Sequence, residues 1–218
     1  LASPTERPSA FHPRHLIRLE AGASLTLIET ATGPEGARYL HNPVFEIEVG
    51  EGATLTHARL QQEGAQGFQL STVYARVAAK GTYDNFTLNA GGQLVRNEIH
   101  AELAGPKGAC HMNGAQLLGP GQHADTTTFL DHAAPDCASR QTYKTVLSGK
   151  SRGVFQGKIL VRQPAQRTFR PSGLTWAGSI VYSLAQEGQT MSMANRSRPG
   201  PWIWVRSSHC SDGLVNSA

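Results

Sequence analysis

The segment Val44-Phe45-Glu46-Ile47-Glu48-Val49-Gly50-Glu51-Gly52-Ala53-Thr54-Leu55 holds the unit from which the fold is read. Phe45, Ile47 and Val49 fall on one face of a period-two run, the pattern of a half-buried strand. Gly52 then permits the positive φ of a sharp corner, and Leu55 belongs to the next run. The same device, Gly plus a small residue, stands as Gly22-Ala23 before Leu25 and Leu27. It returns as Gly81-Thr82 before Tyr83 and Phe86, and as Gly108-Ala109 before Cys110 and Met112. The spacings between successive devices are 30, 29 and 27 residues. Gly67, Gly92 and Gly121 fall part-way through the intervals, so each half-interval holds one strand and one turn. A near-fixed period of this length is the signature of stacked coils.

Outward from that unit the strands are short. Gln69 to Val77 alternates but leaves its inward face ambiguous, with Leu70, Thr72, Tyr74 and Arg76 against Ser71, Val73, Ala75 and Val77. In Val154 to Val161, Phe155, Ile159 and Val161 are in phase and Gly157 interrupts the row. Pro120 between Gly119 and Gly121 marks a further corner. Two strands per coil, repeated, predict an all-β chain wound as a parallel β-solenoid from Gly22 to about Val161. Five coils stacked about 4.8 Å apart would rise roughly 24 Å. An antiparallel sandwich also has short strands and Gly turns. The repeat and the shortage of two-residue hairpin turns favour the solenoid.

The 218 residues carry a formal net charge of +4. The basic residues are scattered, which argues against nucleic acid as a partner. No apolar stretch is long enough to span a bilayer, so no membrane association is expected. Cys110, Cys137 and Cys210 form an odd set without a CxxC motif, which suits a reducing cytoplasm better than a disulfide framework. Asn85-Phe86-Thr87 and Asn195-Arg196-Ser197 match glycosylation acceptors, but no secretory signal accompanies them. The chain begins at Leu1 with a Pro-broken segment through Pro13, which suggests a fragment.

A second layer of signal lies in specific residues. The run from Gln122 to Thr168 holds Gln122-His123-Ala124-Asp125, Asp131-His132, Pro135-Asp136-Cys137 and Ser139-Arg140-Gln141-Thr142-Tyr143-Lys144. It continues through Arg152-Gly153-Val154-Phe155-Gln156-Gly157-Lys158-Ile159 to Ala165-Gln166-Arg167-Thr168. Upstream stand His12-Pro13-Arg14-His15-Leu16-Ile17, Val49-Gly50-Glu51-Gly52-Ala53 and Leu94-Val95-Arg96-Asn97. Together these resemble the SufB/SufD family of iron–sulfur cluster assembly proteins, on its SufD side. The resemblance implies a right-handed parallel β-helix acting as a non-enzymatic scaffold in the SUF system. It implies pairing with a SufB homologue and work with the ATPase SufC, which docks on a C-terminal helical domain that this sequence lacks. A homodimer is a further pairing. No cofactor is expected to bind firmly, and an iron–sulfur cluster would form transiently at the level of the complex. The implied division is an irregular lead-in and first strand over 1–20, a family-like core over 21–168, and a tail over 169–218. The tail is unlike the family, and an out-of-frame reading or disorder would account for it. The family's cluster-site Cys-Ser-His-Gly motif is missing, and Ser208-His209-Cys210 shares its letters in the wrong order.

No catalytic residues are expected. The best local metal candidates are His123, Asp125, His132 and Cys137, because imidazole, carboxylate and thiolate suit Fe(II), Zn or a cluster edge. Their spacing is loose for a structural site, and a hydrogen-bonded row between coils with Cys137 packed as a small hydrophobe is the favoured account. Adjacent Cys110 and His111 point to opposite faces of a strand and do not chelate together. Nothing supplies Cys137 with an oxyanion hole or an orienting acid, which argues against hydrolase chemistry. Lys144, Lys150, Arg152 and Lys158 read as a solvated basic face, and Asn97 as part of an asparagine ladder. Gly149, Gly153 and Gly157 lack the Gly-Lys-Ser/Thr of a phosphate loop. Two competing readings are a polysaccharide-processing β-helix enzyme, for which Asp125 and Asp131 are the close carboxylates, and a SufB-like scaffold.

Overall fold

The computed structural model describes residues 8–162 and two short strands beyond them, Ser179–Leu184 and Thr190–Ala194. The strands in order are β1 (Ser9–Phe11), β2 (Arg14–Leu19), β3 (Ser24–Thr32), β4 (Tyr39–His41) and β5 (Val44–Val49). There follow β6 (Thr54–Gln62), β7 (Gly67–Val77), β8 (Thr82–Asn89), β9 (Leu94–Leu103) and β10 (Ala109–Leu118). The last are β11 (His123–His132), β12 (Ala138–Leu147), β13 (Arg152–Val161), β14 (Ser179–Leu184) and β15 (Thr190–Ala194).

The chain alternates between two sheets. One is built from β1 and β2, β4 and β5, β7, β9, β11 and β13; the other from β3, β6, β8, β10 and β12. Every ladder among these strands is parallel. The structure is thus a parallel β-solenoid of about five coils, and the antiparallel sandwich is excluded. β14 and β15 add antiparallel to β13 and β12, at the edges of the last coil. Within 169–218 only these two strands lie among the described residues. The rest of the tail, including Ser208-His209-Cys210, lies outside them. No helix among the described residues is long and apolar enough to cross a membrane.

Prolines explain a break in the first sheet. Pro13 and Pro43 have no N–H to donate, and each parts a long strand into two, β1 from β2 and β4 from β5. In the third coil Ser71 takes the matching place, one residue before the Val44–Thr72 pairing, and β7 runs unbroken.

The register corrects one detail of the glycine reading. Ser24, Thr54, Thr82, Ala109 and Ala138 stack in one column, so the coil lengths are 30, 28, 27 and 29 residues. Gly22 and Gly52 turn the corner with φ of 71° and 64°. In the next three coils that left-handed place belongs to Lys80, Lys107 and Asp136, with φ of 57°, 60° and 61°. Gly81 and Gly108 therefore sit one position later than Gly22 and Gly52.

The lumen is lined by the inward phase of each strand. In β7 that phase is Ser71, Val73, Ala75 and Val77, which settles the ambiguity of this strand. An apolar cluster including Leu19, Val49, Leu55, Tyr83, Leu103 and Met112 fills much of the interior. Near the last coil the Tyr143 and Phe155 rings stack with centroids 4.4 Å apart. Gly114 makes room for them, because a Cβ there would lie 2.5 Å from the Tyr143 ring.

Candidate functional site

His123 opens β11 and His132 closes it. Nine residue steps along a strand separate their Cα atoms by about 30 Å. The four metal candidates therefore do not converge: His123 and Asp125 lie at one end of the coil, His132 and Cys137 at the other. Among the described residues, no three His, Cys, Asp or Glu side chains gather to hold a metal. Asp125 and Asp131, six steps apart on β11, are about 20 Å apart along the strand. That exceeds the carboxylate spacing of a glycosidase, about 5 to 9.5 Å.

Asp125, His132 and Cys137 each have a local partner. Asp125 Oδ2 lies 3.7 Å from Arg96 Nη1, and Arg96 Nη2 lies 2.7 Å from Glu98. His132 is buried, with Nε2 2.9 Å from Ser139 Oγ. Burial lowers its pKa, and neighbouring Asp131 offsets only part of that. Cys137 donates its thiol proton to the Gly105 carbonyl at 3.3 Å. Burial pushes that thiol's pKa up, so it stays protonated. This corner presents a neutral imidazole and a neutral thiol, the state of groups that pack and hydrogen-bond. Asp131 is held by Arg162, whose Nε lies 3.1 Å from both carboxylate oxygens.

Cys110 is sealed inside, and burial raises its thiol to about 12. His111 next to it is half-buried on the outward phase. Lys144, Lys150, Arg152 and Lys158 are all exposed, with Lys158 Nζ 5.3 Å from the Phe129 ring centroid. Asn97 is inside, and its amide donates to Asn89 Oδ1 at 2.9 Å.

The strongest electrostatic feature was missed by the sequence reading. Glu29, His57 and Arg59 meet inside the first coils. Arg59 Nε donates to Glu29 Oε2 at 2.8 Å, and His57 Nε2 lies 3.4 Å from the same oxygen. Arg59 also reaches Ser71 Oγ on the opposite sheet and lies over the Phe45 ring, 5.0 Å from its centroid. Burial works to raise the Glu29 pKa, but His57 and Arg59 outweigh it and bring it to about 2. His57 is itself buried, and its pKa is lowered for that reason. A second buried carboxylate stands one turn further along the chain. Glu63 accepts a hydrogen bond from the Tyr39 hydroxyl at 2.5 Å and pairs with His41 Nδ1 at 2.8 Å. Burial and Glu63 together hold the Tyr39 hydroxyl well above its usual pKa. The signal was available: His57, Arg59 and Gln61 keep the phase of Leu55 along β6, and that phase points inward.

These centres lie inside a matched family core. A family model described as "SUF system FeS cluster assembly, SufBD core domain" matches residues 2–170. The chain belongs to the SufB/SufD family. It is 31% identical over 163 residues to the iron–sulfur cluster assembly protein SufD of Escherichia coli (strain K12), covering 75% of this chain and 38% of the relative. The chloroplastic protein ABCI7 of Arabidopsis thaliana is 29% identical over 168 residues, covering 75% and 35%. A SufBD family protein of Synechocystis is 27% identical over 169 residues, covering 74% and 37%. The chain thus spans little more than a third of the length of these relatives. The matched span covers all of the parallel coils described above.

Proposed function

We propose that this chain is the solenoid part of a non-enzymatic scaffold that pairs with a SufB homologue, works with the SufC ATPase and serves cytoplasmic iron–sulfur cluster assembly. The carrying observation is the unbroken parallel register through about five coils over the span that the SufBD core model matches. Such a stack is rigid, because each strand is fixed by ladders to the coils beside it. A coil at the end of the stack leaves backbone N–H and C=O groups unpaired, and extended segments of another protein can join them. Iron and sulfide are cargo in this reading, held while the complex is assembled and carried by no resident site in this chain.

Co-purification tests the proposal. The chain is expressed with tagged SufB and SufC homologues from the same source, beside a version carrying a family-type tail in place of 169–218. The expected result is retention with SufB. A soluble, cooperatively unfolding monomer that retains neither partner in either version overturns it.

A further inference from the structure

We propose a hydrated site sealed inside the lumen, held by Arg59, Gln61, Gln69 and Asn97, with water as its ligand. The four residues are between 1% and 3% exposed. Arg59 crosses the lumen to Ser71, joining β6 to β7. Two residues later on β6 and two earlier on β7, Gln61 and Gln69 occupy the next inward places. The coil beneath repeats the layer: Asn89 stacks under Gln61 and Asn97 under Ser71, and these two asparagines are bonded to each other at 2.9 Å.

This layer leaves an unusual set of polar atoms unmet. Arg59 Nη1, both amide atoms of Gln61, Gln69 Oε1 and Asn97 Oδ1 are buried and have no hydrogen-bond partner among the described residues. Native interiors satisfy nearly all such groups, because a buried donor or acceptor without a partner is strongly unfavourable. Reassigning an amide does not remove the problem. Both ends of Gln61 are unmet, so exchanging its nitrogen and oxygen changes nothing. A guanidinium N–H only donates, so Arg59 Nη1 requires an acceptor.

The chemistry selects the ligand. Two groups ask for an acceptor, Arg59 Nη1 and Gln61 Nε2, and three carbonyl oxygens ask for a donor. Water supplies both and makes two to four such bonds when buried. An anion would meet three carbonyl oxygens and an Arg59 already neutralised by Glu29 at 2.8 Å. A cation would lie beside the guanidinium. Gln69 Nε2 stands 3.5 Å from His41 Nδ1, and His41 pairs with Glu63. Water at this site therefore completes a hydrogen-bonded seam between the Glu29 and Glu63 centres.

The test uses the full chain and water itself. A high-resolution crystal structure is expected to show solvent density bridging Arg59 Nη1 and the Gln61 amide. Magnetic relaxation dispersion of the water oxygen, which counts long-lived internal waters, is expected to lose at least one in Gln61→Leu. Gln69→Leu, on the opposite sheet, gives the same loss independently. Should both variants fail to fold, the crystal structure decides alone. Direct bonding of Arg59 Nη1 and Gln61 to protein groups with no density between them overturns the proposal. So does an anion on Arg59, or an unchanged water count in a folded variant.

Discussion

Leu55 and Gln61 lie on the same face of β6, six residues apart, both sealed from water, and they hold the solenoid in different ways. Around Leu55 the lumen is apolar, with Val49, Val77, Tyr83 and Leu103 packed in the same cluster. Apolar attraction has no direction, and any coil of similar volume could supply it. Elsewhere the lumen is polar, and its hydrogen bonds each join two particular side chains. Asn97 bonds Asn89, Gln116 bonds Thr126 at 3.0 Å and Thr128 bonds Gln141 at 2.9 Å. The difference separates two tasks. The apolar half supplies cohesion, and the polar half fixes how one sheet faces the other, since a shift of either sheet along its strands would part every pair.

The most demanding trial removes the cation of the polar half. Arg59→Met leaves Glu29 partly buried against His57 without its main partner, and is expected to destabilise the chain by about 3 to 5 kcal/mol. Leu103→Ala, in the apolar half, is expected to cost about 3 kcal/mol, with the range set by how far the cavity collapses. Urea denaturation of both variants measures the ranking. An Arg59→Met variant less damaging than Leu103→Ala would show the charged centre to be dispensable and dissolve the division of tasks.

Acid sharpens the same contrast without mutation. The Glu29 pKa falls from 4.5 to about 2 on folding, because His57 and Arg59 overcome the burial that would raise it. A depressed carboxylate stabilises the fold above its unfolded pKa, and that stability is lost as pH falls towards the folded one. The window is thus from about pH 5 down to 2, and the loss is about 3 kcal/mol at its foot. His57 acts with the same sign, since its pKa is lowered by burial and the unfolded chain takes up its proton first. Stability measured by urea midpoint is expected to fall through this window in the wild type and to fall less in Glu29→Gln. Equal slopes in the two proteins would remove Glu29 from the account.

The fold was legible because period two and glycine corners are local signals. Phe45, Ile47 and Val49 announced their face, and those residues are 2% to 3% exposed. The interior polar centre was hidden because His57, Arg59 and Gln61 look like the solvent-facing half of an alternating strand. Only their phase with Leu55 tells them apart, and phase is easily lost where corners vary. The metal candidates lie apart for a related reason. His123, Asp125, His132 and Cys137 cluster in sequence, but an extended strand spreads ten residues across the whole coil, so nearness in sequence became distance in space. Contacts such as Arg59 to Ser71 cross between opposing sheets, and no local pattern specifies them.

The smallest expected effect returns to the corner that bounds both halves. Gly22 and Gly52 take its left-handed conformation freely, while Lys80 takes it with a φ of 57° and a Cβ that resists it. Lys80 gains little in return. Its ammonium is 3.6 Å from Glu51, but both side chains are more than 60% exposed, and such pairs contribute little. Lys80→Gly is therefore expected to stabilise the chain by up to about 1 kcal/mol, and Gly52→Ala to destabilise it by about 1 to 2. Thermal unfolding of the two variants checks the pair. A destabilised Lys80→Gly would mean that the greater freedom of glycine in the unfolded chain outweighs the relieved backbone. The corner would then be held by its contacts to the neighbouring coils and not by the conformational preference of the residue that turns it.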